Sequence, residues 1–158
     1  MLLISDEAAV PMTLVFELKE ALKKDPQRIE VTQALTLDES RPGMGVRGRF
    51  GLFASQQWWD NIENSSMPRR RVSGVISRVY ACGQNETANN MIDLVTADGM
   101  VRGEGMYVNE RADVALFQVG HRVDILYALD EMKHQPAAGG GVNYAKVALE
   151  VAVSLIPA

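Results

Sequence analysis

Asp98-Gly99 lies between the apolar run Met91-Ile92-Asp93-Leu94-Val95 and a second run that opens with Met100-Val101. This dipeptide constrains the fold more than any other feature of the chain. A tight hairpin turn needs positive φ at its central residues, which Asp-Gly accepts and most pairs do not, and the twist of such a turn matches that of two antiparallel strands. The stretch MIDLVTADGMVRGEGMYV therefore predicts a β-hairpin, and a fold containing antiparallel sheet.

Other segments extend that sheet. Arg69–Tyr80, RRRVSGVISRVY, is dense in β-branched residues and predicts a strand bent or bulged at Gly74. HRVDILYAL alternates Val123, Ile125, Tyr127 and Leu129 against polar or small residues, the pattern of a half-buried strand. YAKVALEVAVSLI does the same from Ala145 to Leu155. Residues 109–118 read as a linker or short helix, and the glycine triplet in HQPAAGGGVN, 134–143, predicts a mobile loop.

The N-terminal part changes period. PMTLVFELKEALKK, 11–24, places Leu14, Val15, Leu18, Ala21 and Leu22 at helical spacing, with Asp25-Pro26 as the stop. In RIEVTQALTL, Ile29, Val31, Leu35 and Leu37 fall on one face of a strand. With MGVRGRFGLF, 44–53, that strand makes a long-looped hairpin in which the glycines allow bending. Ser55 is an N-cap for a short helix, QQWWDNIEN, which ends before Pro68.

From Val72 to Leu155 the order is strand, hairpin, non-strand segment, strand, loop, strand. That order resembles the five-strand OB-fold barrel, and an SH3-like barrel fits nearly as well. The expected class is mainly β (α+β): a small antiparallel β-barrel, OB-like or SH3-like, with an N-terminal helix and a short Trp-containing helix. The chain is expected to be one domain over residues 1–158, with a helix, hairpin and short helix in 11–66 and the OB-like portion in 67–158.

Composition limits the functions open to this fold. The chain has 158 residues, 47% of them hydrophobic and 23% charged, as in an ordinary folded domain. A formal net charge of -4 gives no global attraction to phosphates or acidic lipids. One cysteine, Cys82, cannot form an internal disulfide, and neither it nor the histidines show zinc-ligand spacing. No membrane span or targeting segment is read, so a cytoplasmic location is expected, and no cofactor or metal is implied.

Catalytic material is sparse. His121 and His134 lie beside a glycine turn and at the start of a loop, where exposure is the simple expectation, and Cys82 reads as structural. The stretch Gly43–Gly48 begins G-x-G but does not introduce a helix as a dinucleotide fingerprint would. No nucleophile motif or phosphate loop is present, so an enzyme is not expected.

Binding residues are easier to name. Arg69, Arg70 and Arg71 form a basic run, joined by Arg47 and Arg49, and Trp59, Tyr80 and Tyr107 supply aromatic surface. On the helix, Trp58 and Ile62 share one face and enter the core, whereas Trp59 points about 100° away toward a partly exposed rim. The leading expectation is a non-enzymatic module that binds another protein or itself through this Trp/Arg surface. The alternative is an OB-like module for single-stranded nucleic acid, in which the arginines contact phosphates and Tyr80 or Tyr107 stacks on bases.

Overall fold

The computed structural model describes residues 10–84, 87–133 and 141–158. Six strands and three helices follow in the order β1 (Met12–Glu17), α1 (Leu18–Lys24), α2 (Gln27–Leu37), α3 (Gln56–Glu63), β2 (Arg69–Tyr80), β3 (Met91–Val95), β4 (Val101–Gly105), β5 (His121–Glu131) and β6 (Tyr144–Pro157). A 3-10 turn, Arg111–Leu116, precedes β5. The strands form one mainly antiparallel sheet in the order β1-β6-β5-β2-β3-β4. The sheet is open, with β1 and β4 as its edges, which corrects the expected barrel. The order of elements from β2 to β6 is the one read from the sequence, but β1 adds to β6 and no pairing joins it to β4.

The chain divides into two compact units. The first comprises Met1–Glu20, Arg71–Leu126 and Ala148–Ala158; the second comprises Ala21–Arg70 and Tyr127–Val147. In the first unit the hairpin forms as its Asp-Gly turn requires. β3 and β4 pair from Met91↔Gly105 to Val95↔Val101, and Gly99 takes φ +80°. β2 is bulged, but between Ile76 and Arg78 rather than at Gly74. Gly74 has a different job: a Cβ there would lie 2.8 Å from the Val95 carbonyl oxygen, so the glycine lets β2 approach β3. The core of this unit is Val72, Ile76, Ile92, Leu94, Val123, Ile125, Val151 and Val153.

Three expectations fail at the N-terminal end. Met12–Glu17 is a strand rather than the first half of a helix, because antiparallel pairing with β6 recruits a short apolar run whose periodicity fits either structure. Ile29–Leu37 is helical rather than extended. In α2 the half-buried positions are Ile29, Thr32, Gln33, Leu35 and Thr36, a helical spacing masked because polar residues share the inward face. Gln33 Nε2 donates to the Phe53 carbonyl oxygen at 2.8 Å, and Asp25-Pro26, read as the stop of the preceding helix, follows the end of α1 at Lys24 and also opens α2. Residues 44–53 form a loop rather than a hairpin strand. An isolated bridge, Val46↔Met132, ties them to the end of β5, and Gly45 and Gly48 take left-handed φ of +86° and +76°.

α3 forms as its sequence directs. Ser55 takes extended φ/ψ and its hydroxyl accepts from the Trp58 amide at 3.3 Å. Trp58 and Ile62, four residues apart, are fully buried with Phe53 and Met67 in the second unit. β5 departs from half-burial: from Val123 to Ala128 every residue is buried, Asp124 included. His121 is likewise buried, not exposed, and its Nδ1 lies 2.7 Å from the Ser154 carbonyl oxygen. His134 and most of the loop expected to be mobile fall outside the described residues.

Candidate protein-binding surface

In the second unit the end of β5 organises the candidate surface. Asp130 is fully buried, and its Oδ2 accepts from Trp58 Nε1 at 3.0 Å while Oδ1 has no hydrogen-bond partner. Burial raises the Asp130 carboxyl above the ordinary carboxylate range, and the Trp58 bond opposes that shift. The next residue, Glu131, gathers two of the predicted arginines: Arg49 Nη1 lies 3.1 Å from one carboxylate oxygen and Arg47 Nε lies 3.7 Å from the other. Two guanidinium groups on one carboxylate leave an excess of positive charge at a surface where both arginines are exposed.

The loop carrying these arginines is fixed at several points. Arg47 N donates to Glu131 O at 2.9 Å, and Asn61 of α3 donates through Nδ2 to Phe50 O at 2.9 Å. Lys133 Nζ donates to the carbonyls of Leu35, Asp38 and Arg41 at 2.6, 3.2 and 3.3 Å, so one buried ammonium holds the C-terminal end of α2. Asp38 itself accepts from the Ser40 hydroxyl and amide, which holds its carboxyl below the ordinary range. A shallow cavity of about 320 Å³ opens here, lined by Thr36, Asp38, Glu39, Pro42, Arg47 and Lys133.

Trp59 is half-buried on the same helix as Trp58, the two rings meeting edge to face at 4.9 Å and 85°. Phe53 meets the other side of Trp58 at 5.1 Å. The buried ring thus braces the half-buried one. Arg69 and Arg70 are exposed, and Arg69 Nη2 donates to Ser65 Oγ at 2.8 Å.

The remaining candidates belong to the first unit and have other duties. Arg71 bonds Asp124 at 3.1 Å, where Arg122 also binds through two nitrogens. Tyr80 donates to Asp93 at 3.0 Å, a bond that raises its phenol pKa, and Arg78 stacks 4.3 Å from its ring centre. Tyr107 packs on Phe16 at 5.7 Å. Arg71, Tyr80 and Tyr107 are thus each engaged within the first unit. Cys82 is exposed and free rather than structural, its backbone held both ways by Asn90.

Sequence reasoning missed Glu131, Asp130 and Lys133. Their signal was the break in apolar alternation at Leu129-Asp130-Glu131-Met132-Lys133, where charges follow directly on a buried strand. Among the described residues no cluster of His, Cys, Asp and Glu is arranged to hold a metal, and no helix is long and apolar enough to cross a membrane.

A surface built from a fixed tryptophan and paired arginines has the character of a protein-interaction module. The model of one family, described as Immunity protein RhsI2, matches residues 12–154, and the chain belongs to that family. The family points to a protein partner and gives no support to nucleic-acid binding. Comparison with curated proteins returns no match.

Proposed function

We propose that this chain acts by binding a protein toxin and blocking it, without chemistry of its own. The family match over residues 12–154 carries the reading. The docking surface in this reading is the exposed part of the second unit around Trp59, with Arg47 and Arg49 on the loop before α3 and Arg69 and Arg70 at the start of β2. A half-buried tryptophan buttressed by Trp58 loses little side-chain freedom on binding, which favours its use as an anchor. The arginines would meet carboxylates on the toxin, and their pairing with Glu131 already fixes two of them in place. The exposed free thiol of Cys82 fits an encounter in the reducing cytoplasm.

The test is protection. Cells producing the partner toxin at a lethal level should survive when this chain is co-produced, and the purified proteins should co-elute as a complex. Survival without complex formation would point to a mechanism other than binding.

A further inference from the structure

We infer that the open edge of β4 pairs with the same edge of a second copy of this chain, about a two-fold axis at Gly103. The ladder between β3 and β4 is bracketed by the bonds Thr96 N to Met100 O and Met106 N to Asn90 O, both 2.9–3.0 Å. Antiparallel bonding alternates along a strand, so even-numbered residues of β4 face β3. Val101, Gly103 and Gly105 therefore turn their N–H and C=O groups to the edge, where no described residue meets them.

The other edge of the sheet is treated differently. Asn109 covers β1: its amide donates to Val15 O, its Oδ1 accepts from Glu17 N at 2.8 Å, and its Nδ2 donates to Glu17 O at 3.1 Å. β4 has no comparable cover among the described residues.

The sequence Val101-Arg102-Gly103-Glu104-Gly105 is self-complementary in one register. With Gly103 opposite Gly103, Val101 faces Gly105 of the second copy and all three outward-facing residues make hydrogen-bonded pairs. Arg102 then faces Glu104 of the second copy in a non-hydrogen-bonded pair, where side chains lie closest. Moving the axis to Arg102 or Glu104 sets like charges opposite each other, and moving it between residues puts the backbone groups out of phase.

Side-chain space agrees with this register. Val101 is 60% exposed, and the Gly105 position opposite it has no side chain but carries the Tyr107 ring 3.2 Å from where a Cβ would stand. Val101 of each copy would close over that ring.

Light scattering on the eluting protein over rising concentration should show a mass climbing from 17.4 kDa toward twice that value. Arg102→Glu, at an exposed position, should weaken the dimer at least about tenfold with an unchanged circular-dichroism spectrum. In a Cys82→Ser background, Gly103→Cys should close a disulfide between two copies under mild oxidation, because hydrogen-bonded partners about 5.5 Å apart are within bridging range. Val75→Cys, exposed on β2 away from the edge, should not. A wild-type mass fixed at 17.4 kDa, or cross-linking through Val75→Cys as readily as through Gly103→Cys, would overturn the inference.

Discussion

Trp58 Nε1 donates to Asp130 Oδ2 across 3.0 Å at a point where neither side chain has any exposed surface. The bond joins α3 to the end of β5 inside the second unit and leaves Asp130 Oδ1 unsatisfied. Asp130→Ala orphans the indole N–H and should cost about 1–3 kcal/mol. Asp130→Asn keeps an acceptor and removes the charge. Because burial raises the native pKa of Asp130 above its unfolded value, its stabilising contribution is full below about pH 4 and is lost as pH rises through the native pKa. Denaturant unfolding from pH 4 to 7 should show wild type losing stability relative to Asp130→Asn; parallel curves would refute the assignment.

Gly74 meets the Val95 carbonyl where a Cβ would stand 2.8 Å away, and the obstacle is backbone, which cannot rotate aside. Gly74→Ala should separate β2 from β3 locally and destabilise by about 1–3 kcal/mol. The check is a lowered urea midpoint at unchanged slope.

What the sequence disclosed followed from how local the signal was. Asp98-Gly99 dictates a turn by its own backbone preferences, and Ser55 caps α3 through a contact three residues away, so both are legible without tertiary knowledge. β1 is not, since its extended form depends on β6, more than a hundred residues distant. α2 misleads for another reason: Thr32, Gln33 and Thr36 share its inward face with Ile29 and Leu35, and Gln33 fits there through its bond to Phe53 O. Closure into a barrel could not be read at all, because it rests on the pairing of edges. In the candidate surface, Trp58 and Trp59 were separable by helical geometry, whereas the anchoring of Arg47 and Arg49 on Glu131 spans more than eighty residues.

Lys133 holds three carbonyl oxygens around the end of α2. Lys133→Met retains the apolar stem and removes all three donors, so the Leu35, Asp38 and Arg41 carbonyls lose a shared partner. The expected cost is about 1–3 kcal/mol, with amide exchange accelerated across residues 35–41 and unchanged in β3 and β4. Uniform acceleration would show that the contact is not local in effect.

We propose that this member of the RhsI2 immunity family binds a toxin through the surface around Trp59. Isothermal titration of the purified toxin into wild type and into Trp59→Ala, with both shown to be folded by circular dichroism, tests it most directly. Wild type should form a saturable complex and Trp59→Ala should bind at least about 30-fold more weakly, equivalent to a hot spot of about 2 kcal/mol. Undiminished affinity in Trp59→Ala would place the docking surface elsewhere on the chain, and no heat of binding with wild type would contradict the toxin-binding reading itself.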